Sequence, residues 1–264
     1  MLLYHNPLSS CSQKVRMVLH EKGLSYDSNV IDLQKGEQFA ADYVKLNPNA
    51  VVPTLIDNNQ VLIESTLINE YLDDAYPDVS LKPADPATRH TMRHFCKQID
   101  DALHPACGIL TYAIGARPGL LARPKAEVDA LVANIPNPAR RAARRSVIDH
   151  GVAAPEFRSA MLTHRALFDR AEDMLATADW LAGPQLTLAD CALMPYVVRV
   201  DHLGQGAEVT SRPHLQHWYE AIQARTSFVA AVNDWLPPPA VEMLRKAGAQ
   251  VEAEIAQIMA APQS

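Results

Sequence analysis

The chain has no excess of basic residues, no paired cysteines and no long apolar run. Its 24 Lys and Arg stand against 30 Asp and Glu, a formal net charge of -6. That balance argues against a nucleic-acid partner, which would be met by a basic face. The four cysteines, Cys11, Cys96, Cys107 and Cys191, stand at unrelated spacings. Neither a metal site nor a disulfide framework is therefore expected, and a reducing, cytoplasmic setting fits best. The residue three places after Cys11 is Lys14, which excludes a paired-thiol redox mechanism. No stretch approaches the ~20 apolar residues of a membrane span. The N-terminus lacks the charged and then apolar regions of a signal peptide. There is no internal repeat, and 264 residues suffice for one large domain or two with real cores.

What is present falls into two halves. Residues 2–5 form a short apolar strand pattern. Residues 12–22 carry Val15, Val18 and Leu19 at helical spacing, with Gly23 as the stop. Residues 25–33 alternate as a strand, and residues 37–46 make a weak helix. Residues 53–57 and 61–64 flank Asn58-Asn59 as a hairpin. Ser65 then reads as the N-cap of a helix to residue 74. The order β-α-β-α-β-β-α predicts an α/β unit with a mixed sheet. Beyond a Pro-containing linker at residues 80–87, strand signals nearly vanish. Residues 88–113 are a long helical pattern with Pro105 as a kink. Thr187 and Asp190 form a capping box ahead of a buried helix. The second domain is all-helical.

Three segments of the first unit converge on one edge. Ser9-Ser10-Cys11-Ser12 lies where the first strand gives way to a helix, so free N–H groups and the positive end of a helix dipole favour a thiolate there. Val52-Pro53, if its peptide is cis, turns the Val52 backbone outward to pair with an extended peptide. Ser65 and its N–H suit a carboxylate, and Glu64 suits an ammonium group. The site thus accepts a small peptide with an α-amino acid head and its thiol over Ser9–Cys11. Lowering a thiol pKa by two units takes about 2.7 kcal/mol. A hydroxyl bond to sulfur, about 1.5–3 kcal/mol, and a helix terminus, up to about 2 kcal/mol, suffice without a metal.

With Asn47-Pro48 and Leu186-Thr187-Leu188-Ala189-Asp190 added, these motifs resemble a cytosolic glutathione transferase over nearly the whole chain. The resemblance implies a thioredoxin-like first domain at residues 1–79 and an all-α domain at 88–264. It also implies a homodimer, glutathione as co-substrate and no metal. The opening motif resembles the zeta class, whose first serine activates glutathione, so the role passes to Ser9 with Ser10 beside it. Reductive dehalogenases that look zeta-related use the cysteine, which matches Cys11. β-Aryl etherases resemble the second domain better, since they too carry extra sequence where residues 117–155 stand. Two departures from zeta are this surplus and Val51 in place of Gln. Glutathione contacts carried over are Ser9, Val52, Pro53, Glu64 and Ser65, with Lys35 and Gln38 near the glycine carboxylate; a solvated Lys35 is the competing reading. His104, Cys107 and Tyr112 line the electrophile pocket in this scheme, or simply pack.

The reading is a transferase attacking a hydrophobic, aromatic electrophile by conjugation or ether cleavage, with no nucleic-acid or membrane partner. The alternatives are a reductive dehalogenase using Cys11, a zeta-like cis–trans isomerase, and a ligand-binding module without turnover. Cys11 itself is open to two readings, a small buried hydrophobe or a mixed-disulfide nucleophile. Arg140, Arg141, Arg144 and Arg145 read as a solvated helix face or as part of a lid over the site. Residues 241–259 either dock on the body or cap the pocket.

Overall fold

The computed structural model describes residues 1–261. Strand β1 (Leu2–His5) leads into helix α1 (Ser10–Glu21), then β2 (Asp27–Val30), a 3-10 turn (Glu37–Phe39), α2 (Ala41–Leu46), β3 (Thr54–Asp57), β4 (Gln60–Leu62) and α3 (Ser65–Ala75). The sheet order is β2-β1-β3-β4. β1 runs parallel to β2, pairing Leu3 with Ser28, and antiparallel to β3, pairing Leu3 with Leu55. The mixed sheet follows the expected order, with shorter elements. The second strand ends at Val30, and the weak helix is split at Ala40, whose extended backbone (φ -60°, ψ 138°) starts a new turn. Asn58 and Asn59 adopt φ of 48° and 63°, the left-handed pair that a two-residue hairpin needs.

Helix α1 is enclosed on nearly every side, by α3 and by two helices of the second unit, α10 (Leu188–His202) and α13 (Thr226–Ala231). Its apolar residues Val15, Met17, Val18 and Leu19 are fully buried, and so are Lys14 and Arg16. Buried charge is costly unless answered, and both have partners. Lys14 donates to Asp100 Oδ1 at 2.8 Å and Thr66 Oγ1 at 3.1 Å. Arg16 donates to Ala231 O at 2.8 Å, meets His5 Nδ1 at 2.8 Å and reaches the carbonyls of Asn6 and Pro7. The bonds to Asp100 and Ala231, with the Glu21–Arg225 ion pair at 2.6 Å, fasten the two units together.

The second unit is helical. It comprises α4 (Pro86–Gln98), α5 (His104–Leu110), α6 (Arg117–Leu121), α7 (Lys125–Ala133), α8 (Pro138–His150), α9 (Pro155–Leu175), α10, α11 (Ala207–Thr210), α12 (Pro213–Gln223), α13 and α14 (Pro238–Ala260). α4 starts at Pro86, inside the stretch read as linker, because Asp85 caps it by accepting from Thr88 N. The expected single helix with a kink at Pro105 is instead a run from 86 to 121 with π turns at Ile99–Leu103 and Thr111–Ala116. In the first π turn the His104 N–H bonds to Ile99 O. That wider turn makes room for the proline ring, which would strike a carbonyl in a regular helix.

Thr187 and Asp190 complete the predicted capping box. Asp190 also accepts from Leu181 N at 3.0 Å and Trp218 Nε1 at 2.9 Å, so one buried carboxylate ties α10 to α12 and to the loop before it. The C-terminal helix α14 docks on α10, and Gly248 lets it: a Cβ there would lie 1.9 Å from Leu203 O. No helix of the described residues is long and apolar enough to cross a membrane.

Candidate active site at the first helix N-terminus

The β1–α1 turn places Ser9 at the N-cap of α1, where its Oγ accepts from Ser12 N at 3.2 Å. The expected helix start at residue 12 thus moves to Ser10. With Ser12 N taken by the cap and Gln13 N by Ser9 O, the N–H groups of Ser10 and Cys11 have no helical acceptor. Ser9 uses a lone pair for the cap, which leaves its hydroxyl hydrogen to donate to a sulfur.

The turn beside β3 is held by side chains from α2. Tyr43 Oη donates to Val51 O at 2.6 Å, and Asn47 Nδ2 donates to the same carbonyl at 2.9 Å. The Asn47-Pro48 motif therefore fixes the approach to Val52-Pro53, whose peptide is cis. At the β4–α3 junction the expectation for Ser65 is corrected. Glu64, not Ser65, is the N-cap, with φ 68° and no side-chain cap bond. That left-handed turn leaves Ser65 as the first helical residue, its hydroxyl free of a capping duty. Asn49 Nδ2 donates to Glu64 Oε1 at 3.2 Å, linking two of the three segments. Lys35 is exposed and ion-paired with Asp32 at 3.3 Å. Gln38 is buried, and its Oε1 has no partner among the described residues.

The α4–α6 run forms the opposite wall. Cys11 Sγ lies 3.6 Å from His104 Nδ1 and 3.9 Å from Nε2, and Tyr196 Oη lies 3.2 Å from the same Nδ1. Burial works to raise the Cys11 thiol, but the charge and hydrogen bond of His104 outweigh it. Lys14 and Ser65 add to the pull, and Cys11 is lowered to about 6. His104 is raised in turn, chiefly by the Cys11 thiolate. Cys11 is only half-buried and His104 is exposed, so the pair sits in an open cleft where water weakens both the burial penalty and the attraction. The other cysteines differ. Burial pushes Cys96 up to about 12 and Cys191 well above its ordinary value. Cys107 is buried too, with Sγ 3.8 Å from Ser10 Oγ and 3.8 Å from Thr111 Oγ1. It packs behind the site rather than lining it.

Tyr196 and Arg199 were not singled out as site residues from the sequence. Tyr196 projects from the buried helix α10 toward His104. Arg199, on the same helix, donates to Thr111 Oγ1 at 3.3 Å and to Leu8 O. Arg144 of α8 stacks on the Tyr112 ring, so the basic run is not simply a solvated face. Tyr196 reads from the sequence only as a buried position of the helix after the capping box, and α8 with Arg144 lies in the segment expected to be a solvated face or a lid. Among the described residues, no three His, Cys, Asp or Glu side chains converge as metal ligands.

Comparison with known proteins gives a consistent picture. The family described as Glutathione S-transferase, N-terminal domain matches residues 8–75, and the family described as Glutathione S-transferase, C-terminal domain matches residues 141–226. The chain is 32% identical over 244 residues to Glutathione S-transferase 3 of Zea mays, covering 90% of this chain and 96% of that one. It is 28% identical over 238 residues to the tetrachloro-p-hydroquinone reductive dehalogenase of Sphingobium chlorophenolicum, covering 87% and 94%. Among solved structures, a β-etherase from Sphingobium sp. strain SYK-6 superposes with a TM-score of 0.78 at 27% identity, covering 87% of this chain and 97% of that one.

Proposed function

Because the chain belongs to the glutathione S-transferase family, we propose that it activates glutathione for attack on a hydrophobic, aromatic electrophile, by conjugation or ether cleavage. The observation that carries this reading is the Ser9-capped N-terminus of α1 set against α5, with Cys11 3.6 Å from His104, and Ser65 at the head of α3 free of a capping duty. In this arrangement, glutathione lies along Val52 with its α-amino acid head at Glu64 and Ser65. The Ser9 hydroxyl and the free N–H groups of α1 stabilise the glutathione thiolate. The new bond forms from that sulfur to an electrophilic carbon, and halide or aryloxide leaves. The etherase and the transferase that this chain resembles support such chemistry. A reducing cytosol is the proposed setting, in keeping with four free cysteines.

A second reading rests on the Cys11–His104 pair. Two thiolates about 4 Å apart repel by about 4 kcal/mol at an effective dielectric near 20. One cationic wall therefore favours one thiolate at a time. With Cys11 ionised, the suited reaction is its attack on the sulfur of an aryl–glutathione adduct. The C–S bond breaks, the carbon takes a proton, and Cys11 is left disulfide-bonded to glutathione. A second glutathione then releases oxidised glutathione. The overall exchange consumes two glutathiones for each halide replaced by hydrogen.

Both readings are tested by assaying wild type, Ser9→Ala and Cys11→Ser with an aryl halide, a β-aryl ether and a halogenated hydroquinone. Conjugation predicts that Ser9→Ala raises the pKa of bound glutathione and slows thioether formation. Cys11→Ser should lower that pKa, because the competing thiolate is gone. Appearance of oxidised glutathione with wild type and its loss in Cys11→Ser would establish the reductive reading. An unchanged glutathione pKa in Ser9→Ala would refute the role of Ser9.

A further inference from the structure

The wall that α8 and α10 present to this cleft carries cationic groups without carboxylate partners. Most arginines of the chain are engaged with acidic side chains or backbone carbonyls: Arg93 with Glu70, Arg165 with Glu208, Arg225 with Glu21, Arg145 with Asp129, and Arg141 with Ile135 O. Arg140 and Arg144 differ. Among the described residues, the exposed Arg140 guanidinium has no hydrogen bond or ion pair, and the partly buried Arg144 lies against Tyr112 without a carboxylate partner. Behind them, Arg199 is 4% exposed. Its partners are the neutral oxygens of Thr111 and Leu8, and its Nε is a buried donor with no partner. Arg16 shows what a structural buried arginine looks like here: Nε and both terminal nitrogens are all bonded.

Arg144 lies over the Tyr112 ring, Arg199 donates to the Oγ1 of the adjacent Thr111, and Arg140 stands one helical turn before Arg144 on α8. Contacts of 3.8 Å from Ser10 to Cys107 and from Cys107 to Thr111 connect this wall to the turn bearing Cys11. The buried Arg199 charge, left unanswered by the protein, is costly, and an anionic ligand bridging to the more open Arg144 and Arg140 would answer it. Guanidinium forks match a carboxylate, and the Tyr112 phenol ring beside them suits an aromatic one.

Resting on the transferase reading, we propose that the electrophile is an aromatic acid whose carboxylate is received by Arg140 and Arg144 beside Tyr112, with the fixed charge of Arg199 behind them. Lys35, Glu64 and Ser65 lie on other segments, so this subsite is distinct from the one for the carboxylates of glutathione. The α8 segment thereby supplies a specificity determinant rather than only a cover.

Binding and turnover separate this proposal from the transferase reading. Calorimetry on the full chain with S-methylglutathione present compares 4-chloro-3-nitrobenzoate with its neutral amide. The acid is expected to bind tighter by roughly tenfold or more, the effect of a charge-assisted hydrogen bond, and less so at high salt. Arg140→Gln with Arg144→Gln should collapse that ratio, while Arg140→Lys should keep most of it. Equal binding of acid and amide, or no binding of either, overturns the proposal. So does a double variant that weakens S-methylglutathione and leaves the ratio intact. Turnover is read separately with glutathione, as chloride release and thioether formation. Failure of both compounds to react, with acid preference intact, would refute conjugation of aryl halides and not the anion subsite.

Discussion

Replacing His104 by Ala should return Cys11 toward ordinary thiol behaviour. In the wild type the thiol is lowered from 9.0 to about 6, so at pH 7 it is about 90% thiolate, against about 1% for an unshifted thiol. Each thiolate is also less nucleophilic, by roughly twentyfold over three units at a Brønsted slope near 0.45. The net advantage over an ordinary cysteine is therefore modest at pH 7, about fivefold, and larger at pH 5.5, about fortyfold. Alkylation by iodoacetamide, followed from pH 4.5 to 9.5 with Cys11→Ser as the blank, should show a midpoint near 6. The raised pKa values of Cys96, Cys107 and Cys191 keep them out of this range. His104→Ala should move the midpoint up by about one unit or more, the usual effect of one nearby cation. Added salt should move it the same way, since the pair is open to solvent. A midpoint near 9 in the wild type, or an unmoved midpoint in His104→Ala, would refute the assignment of His104 as the stabilising charge.

Three further outcomes follow from buried features. Asp190→Ala should cost about 3–5 kcal/mol in urea unfolding, because it strands the donors of Leu181, Thr187 and Trp218; a loss under about 1 kcal/mol would contradict the network. Gly248→Ala should destabilise by about 1–3 kcal/mol, since Leu203 O must give way, and amide exchange should show α14 protecting less than before. His164 is lowered to about 4 chiefly by burial, so the unfolded chain binds more protons between its ordinary 6.5 and about 4. Stability should therefore fall as pH drops through that window, and His164→Phe should flatten the fall.

The order of elements in the first unit was readable because each carries its own local mark: the short apolar run around Leu3, the Asn58-Asn59 turn, and Gly23 as a stop. The same holds for Thr187 and Asp190, which satisfy each other within three residues. Other features depend on distant partners and leave no such mark. Lys14 looks like a surface charge until Asp100, 86 residues away, is brought beside it. The role of Glu64 as cap depends on a positive φ that the sequence does not announce. Cys11 was visible as a thiol at a helix start, yet the partner that ionises it, His104, lies on another unit. Arg140 and Arg144 read as a solvated face or a lid because their run is polar in its own right; only the fold of α8 sets the partly buried Arg144 over Tyr112, while Arg140 stays exposed.

The π turn at Ile99–Leu103 has a bearing on how this cleft is set. Such a turn holds one residue more than a regular helical turn, and each residue advances a helix by about 100°. Deleting a single residue there would rewind everything downstream against α4. The imidazole that faces Cys11 would swing about a quarter-turn off the thiol, and Cys107 and Tyr112 would turn with it. The position of the histidine is thus a matter of helical phase, stored in one extra residue, and a shorter chain of nearly the same composition would carry the same groups aimed at the wrong wall.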